Sequence, residues 1–250
     1  MSKFISRWKR PLIRSKIFSG LCKYPGYFRD WYCYRRMEGA ESIHLFDTYP
    51  CLFDKTSSTK IDGHYFYQHI WAMEKVLAQR PEFHVDVGSN VNFVGLLSTV
   101  VPVQFVDIRP MKVNNLPNLE SHYGSILNLP YEDGSLPSIS CLHVAEHIGL
   151  GRYGDPLDPL GTQKAAAELT RCLAVSGHLY FSLPIGKPRL CFNAHRIHSP
   201  QQIINYFKGL KLLEFSGSTD EKVFLRKSDP QLFETAHYAC GMFLFTKEAI

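Results

Sequence analysis

The chain has 250 residues, of which 45% are hydrophobic and 20% charged, with a net charge of +5; this suits one large α/β domain with a sizeable core. No apolar run approaches the roughly 20 residues of a membrane-spanning helix, and the basic N-terminus lacks the apolar core of a secretory signal. Seven scattered cysteines without a C-x-x-C pair favour a reduced, cytoplasmic compartment and argue against a structural zinc site.

Residues 1–61 read as a helical extension broken at Pro11, Pro25, Gly26 and Pro50. Within it, residues 1–36 carry ten Lys/Arg against one acid, Asp30, a net +9 that leaves −4 for the rest of the chain. Aromatics such as Trp8, Phe28, Trp31 and Tyr34 are interleaved with these charges. That mixture suits an anionic membrane surface or, less well, a nucleic-acid backbone. The plain alternative is a cap whose Lys and Arg are simply solvated.

A second domain is expected over 62–250. Phe66, Ile70, Met73, Val76 and Leu77 recur at helical spacing over 65–79, and Pro81 ends that helix. Strands then alternate with helices: 83–87 strand, 91–99 helix, 103–108 strand, 138–143 strand, 162–173 helix, 178–183 strand. Ser176 and Gly177 supply a stop signal for the last helix. Ser199 is placed to cap a short helix over 200–207. The strands at 210–216 and 240–246 read as an antiparallel pair joined by the polar segment 217–237. The alternation predicts a doubly wound, mostly parallel sheet with helices on both faces.

Chemistry is concentrated where the first strands end. Asp86-Val-Gly-Ser-Asn90 is a tight glycine turn between a strand and a helix, and Asp107 closes the next strand. Such a turn lets backbone N–H groups approach a ligand. An acid about 20 residues downstream is placed to accept hydrogen bonds from ribose hydroxyls. The turn lacks the full G-x-G-x-x-G pattern, with Asn90 and Phe93 at the second and third glycine positions. That disfavours an NAD-dependent oxidoreductase, whose pyrophosphate needs those glycines.

This turn, Asp107, the polar loop at 124–135, the strand end His143-Val-Ala-Glu-His147 and the segment 168–184 together resemble the class I S-adenosylmethionine-dependent methyltransferases, over roughly residues 80–250. Stretches 146–156 and 192–196 are similar to a subgroup known only as a domain of unknown function, whose members often accompany surface-polysaccharide genes. The resemblance implies a seven-stranded Rossmann-like sheet with an antiparallel terminal strand. It also implies S-adenosyl-L-methionine as cofactor and a hydroxyl or amine of a small molecule or glycan as methyl acceptor.

Residue by residue, the resemblance places Asp86 and Gly88 beside the methionine moiety, with Ser89 and Asn90 completing the turn. Asp107 takes the ribose hydroxyls, Ser125 and Ile126 flank the adenine, and His143 lies beneath the sulfonium. Two residues depart from the family pattern. Asn90 stands for a glycine, a substitution that the tolerance of Asn for left-handed backbone accommodates. Ser125 stands for an acid. A general base is expected from His147, paired in sequence with Glu146, or from His195. The departures at Asn90 and Ser125 are also compatible with a catalytically inactive binding module that keeps the methyltransferase fold and has lost the cofactor. His195 and His198, with Asp155 and Asp158, have loose metal-ligand spacing, although helix capping or loop shaping accounts for the two acids. The glycine-rich stretch 149–154 with Arg152 reads either as a lid over an anionic acceptor or as a connector.

Overall fold

A computed structural model describes residues 20–249, so the contributions of Lys3, Arg7, Trp8, Lys9, Arg10, Pro11, Arg14 and Lys16 to the basic extension lie outside the described residues. Two compact units divide between Ile61 and Asp62. In the first, helix α1 spans Tyr24–Tyr34, with Pro25 in its opening turn. Pro25 was expected to break a helix; it begins one instead, because its fixed φ suits the first turn and its missing N–H would be unpaired there anyway. A 3-10 turn follows at Leu45–Asp47. Among the described residues no helix is long and apolar enough to cross a membrane.

The second unit begins with α2 (Gly63–Gln79), capped by Asp62, whose carboxylate accepts from the His64 and Tyr65 backbone N–H groups. Strand β1 (His84–Val87), α3 (Val91–Leu97), β2 (Val103–Asp107), β3 (Leu119–Tyr123) and β4 (Leu136–Leu142) follow. After α4 (Gly161–Cys172) come β5 (Leu173–Ile185) and a small hairpin of β6 (Arg189–Cys191) and β7 (His195–Ile197). Helix α5 (Pro200–Tyr206) opens on a full capping box of Ser199 and Gln202. Strands β8 (Lys211–Ser218), β9 (Phe224–Leu225) and β10 (Ala239–Thr246) complete the unit.

Eight strands form one sheet in the order β3-β2-β1-β4-β5-β10-β8-β9. The pairs from β3 to β5 are parallel, and β10 runs antiparallel to both β5 and β8. The eighth strand, beyond the seven expected, is the two-residue β9, which adds an edge within the connector 217–237. Successive strand residues face opposite sides of the sheet, and that alternation builds two cores. Phe105 and Tyr180 pack with Trp71, Val76, Phe93 and Leu97 of α2 and α3. Their chain neighbours Val106 and Phe181 pack with Ala165, Leu169 and Ile203 of α4 and α5.

The stop signal at Ser176 and Gly177 differs from expectation. Helix α4 ends at Cys172, one residue from the expected 173, and the chain enters β5 immediately. The left-handed Ser176, φ 62°, falls where the pairing of β4 with β5 shifts register between Leu136 and Ser138. Its stop signal therefore belongs to a strand irregularity, a place where positive φ is also at home.

Candidate functional site

The chain winds outward from β1 in both directions along the sheet, to β2 on one side and β4 on the other. A crevice opens at the carboxyl ends of the strands at such a reversal. Here it is a cleft of about 410 Å3, lined by Gly88, Asp107, Ser125, Ile126, His143 and His147 among others. These are six of the sequence-predicted site residues, drawn together from four separate loops. Asp86, Ser89, Asn90, Glu146 and His195 do not line it.

The reason lies in what the turn does with its polar groups. Asp86 is completely buried; one oxygen accepts from Ser89 N at 3.0 Å and the other from the Ser140 hydroxyl. Burial raises its carboxyl to about 6, against the pull of those hydrogen bonds. Ser89 Oγ accepts from Leu142 N at 3.0 Å, tying the turn to β4. Beneath them His84 bridges the hydroxyls of Ser138 and Ser140 at 2.7 and 2.8 Å. Asp86 and Ser89 thus build the turn rather than face a ligand.

Asn90 corrects an expectation. Its backbone is extended, φ −62°, and its side chain caps α3 by accepting from Asn92 N at 2.9 Å. The left-handed residue is Gly88, φ 70°, where an added Cβ would lie 3.0 Å from Val144 Cγ1 and 3.3 Å from Asp107 Oδ2. Gly124 is a second cradle point, since a Cβ there would meet Val106 Cγ1 at 2.5 Å. Sequence reasoning passed over Gly124, although its place next to Ser125 was a usable signal.

On the far wall, Asp107 Oδ1 accepts from Arg109 N at 2.6 Å, while Arg109 lays its guanidinium over the Tyr153 ring, 4.3 Å from the centroid. Ser125 Oγ accepts from Leu127 N at 3.2 Å, which leaves its O–H to donate. Tyr153 and Gly154 of the stretch 149–154 line the cleft; Asp155 accepts from Gly149 N and Tyr153 N, and Arg196 donates to the carbonyls of the flanking Ile148 and Asp158. His198 approaches Thr162 Oγ1 at 3.3 Å, which gives that histidine a packing role.

His147 Nδ1 lies 2.6 Å from the Ala194 carbonyl, which can only accept, so Nδ1 carries the proton and Nε2 presents its lone pair. Burial lowers this imidazole to about 4. Glu146 is fully buried with neither carboxylate oxygen hydrogen-bonded, and burial raises it to about 8. The two approach at 3.6 Å. His195 stands in the β6–β7 hairpin, its ring 5.2 Å from Tyr238 and 6.5 Å from His147. A group that sequence spacing could not reveal meets at the end of β4: His64, His143 and Cys240 from three distant elements.

A family model described as a Caenorhabditis protein of unknown function, DUF268, matches residues 133–242. No curated protein matches the sequence. Among solved structures, the [4+2]-cyclase SpnF aligns with a TM-score of 0.57 at 10% identity, over 76% of this chain and 86% of its own. The N-methyltransferase NodS from Bradyrhizobium japonicum, in complex with S-adenosyl-L-homocysteine, aligns at 0.51 and 12% identity, over 74% and 87%. A cyclase and a methyltransferase on one scaffold leave the reaction to be argued from the site. The mixed sheet and these likenesses together give the chain the Rossmann-like methyltransferase fold.

Proposed function

We propose that the cleft binds S-adenosyl-L-methionine and that the protein transfers its methyl group to a hydroxyl or amine of a small molecule or glycan. The observation that carries this reading is the Asp107 carboxylate standing against the Cβ-less Gly88 turn at the sheet's reversal point. The residues present fit the cofactor. Asp107 accepts from ribose hydroxyls, Gly88 lets the chain pass close, Ile126 offers an apolar face to adenine, and Ser125 donates to it.

The cofactor supplies an already activated methyl group on a sulfonium, so the protein mainly aligns the acceptor and excludes water. Val144 and Ile148 form the apolar side of the cleft next to His147. We assign to His147 the proton that the acceptor gives up, since its Nδ1–H is held by the Ala194 carbonyl and its Nε2 keeps a lone pair. An imidazole near 4 is a weak base before the reaction, so proton removal accompanies transfer rather than preceding it. That same weakness favours a second reading, a binding module that keeps the cofactor and lacks turnover.

Calorimetry decides the first claim: S-adenosylhomocysteine binds the wild type one to one and fails to bind Asp107→Ala. Absence of binding by the wild type would falsify the cofactor reading. His147→Gln separates the two readings, with binding kept and turnover of an identified acceptor lowered by about 100-fold or more.

A further inference from the structure

Next to the cleft, the side chains of His64, His143 and Cys240 converge, their ligand atoms all within 4.8 Å of one another. They come from the first turn of α2, the end of β4 and the start of β10. The two imidazoles approach through His64 Nδ1 and His143 Nε2, at 3.2 Å. Two nitrogens bound tetrahedrally to zinc at about 2.0–2.1 Å stand about 3.3 Å apart, so the pair already has the spacing of two ligands. Cys240 Sγ completes the triangle after a side-chain shift of roughly 1 Å toward the nitrogens.

The surroundings are those of a metal site. His64 Nε2 lies 3.1 Å from the Tyr238 carbonyl, so it carries the proton and Nδ1 turns its lone pair inward. A backbone acceptor behind a ligating imidazole is the usual second-shell arrangement. His143 holds a left-handed backbone, φ 57°, which is costly for a residue with a Cβ and a mark of an imposed conformation. Its backbone N–H donates to Ser182 O at 2.8 Å, and β10 pairs Cys240 with Pro184 of β5, so the ligands stand on fixed elements.

Charge supplies the independent observation. Glu146 is a fully buried carboxyl with neither oxygen hydrogen-bonded; burial first and the nearby Glu146 second push the Cys240 thiol well up, so a thiolate forms here only against a cation. Ionising a buried carboxyl is costly unless a cation balances it, and without one Glu146 keeps its proton up to about 8. A divalent ion carrying one thiolate has a net charge of +1, which ionised Glu146 would balance.

We propose that His64, His143 and Cys240 form a three-ligand site for zinc, beside the cofactor cleft and independent of whether that cleft holds S-adenosylmethionine. Zinc is favoured by the mixed imidazole and thiolate donors. In the metal-free protein His143 Nε2–H donates to the His64 Nδ1 lone pair; binding shifts that proton to His143 Nδ1, a buried atom without another partner, and forms the metal–sulfur bond as the Cys240 thiol releases its proton to solvent. Three protein ligands leave a fourth position for water or an acceptor hydroxyl. His143 belongs to both this group and the cleft lining. The absence of C-x-x-C spacing did not reveal such a site, because its ligands are gathered by the fold.

The test uses the full chain, stripped with chelator and titrated with Co2+, then with Zn2+. One Co2+ per chain is expected, with a thiolate-to-cobalt charge-transfer band in the near ultraviolet, strong tetrahedral visible bands, and loss of both as Zn2+ displaces it. Cys240→Ser should delete the charge-transfer band, and His64→Gln should weaken Co2+ binding by at least about 100-fold. Asp107→Ala should leave the cobalt spectrum unchanged, which separates this site from the cofactor reading. A missing charge-transfer band at stoichiometric Co2+, or one that survives Cys240→Ser, overturns the proposal. Should Cys240→Ser fail to fold, His64→Gln decides, since His64 is at the first, half-buried turn of α2; unaltered affinity in that variant overturns the site.

Discussion

Glu146 couples the candidate site to the stability of the whole fold. Its carboxyl is held near 8 by burial, against an ordinary 4.5. In the metal-free protein the folded state therefore keeps a proton that the unfolded chain releases between those two values. Stability falls with rising pH wherever the native state binds more protons. The penalty grows through the window from about 4.5 to 8, reaching on the order of 3–5 kcal/mol. Glu146→Gln removes that titration while keeping the shape. In the presence of chelator the variant should gain stability over wild type at pH 8, and the gain should vanish near pH 4.5. Chemical denaturation at several pH values measures this, and parallel curves for the two proteins would refute it. Gly88 makes a second test at this scale. Gly88→Ala places a Cβ on a left-handed backbone against Val144 and Asp107; we expect a loss of about 1–2 kcal/mol together with loss of cofactor binding in calorimetry.

Helix α3 has seven residues and depends on its cap. Asn90 supplies it, so Asn90→Ala should cost about 1 kcal/mol and Asn90→Gly only a few tenths. Because the Asn90 side chain is turned to Asn92 N and does not line the cleft, cofactor affinity should stay unchanged in both. A gain in affinity for Asn90→Gly would show that the family glycine matters here after all. The same elements explain what the sequence made legible. β1, β2 and β4 carry Val, Phe, Ile and Leu at mostly buried positions between polar residues, so their ends, and with them Asp107 and His143, could be placed from pattern alone. β3 buries only Leu119 of its five residues and lies at the sheet edge, leaving no pattern to read. The β6–β7 hairpin has three residues per strand and is half-exposed. Asp86 and Asn90 were legible as a turn, yet which atoms face a ligand depends on partners such as Ser140 and Leu142 that only the folded sheet supplies. His64 and Cys240 could not be associated at all, since β10 reaches its place only by inserting between β5 and β8.

At the scale of the whole molecule, charge is segregated. Residues 1–36 carry +9 and the remainder −4. The described part of that segment also presents apolar surface: Phe28, Tyr32 and Tyr34 are exposed on α1. Arg35 and Arg36 lie over the rings of Trp31 and Tyr32, 4.7 and 3.9 Å from the centroids. Basic side chains near an anionic leaflet contribute about 1 kcal/mol each, and exposed aromatics suit the headgroup boundary. We therefore propose peripheral membrane contact through residues 1–36. The attraction should be screened by salt within a Debye length of about 10 Å at 0.1 M. The full chain should sediment with phosphatidylserine-containing vesicles at low ionic strength, leave them as salt is raised, and ignore neutral vesicles. A chain lacking residues 1–36 should remain in the supernatant throughout. Equal partitioning of the two forms would show that the charge is only solvated, and binding to neutral vesicles as strong as to anionic ones would remove the electrostatic argument.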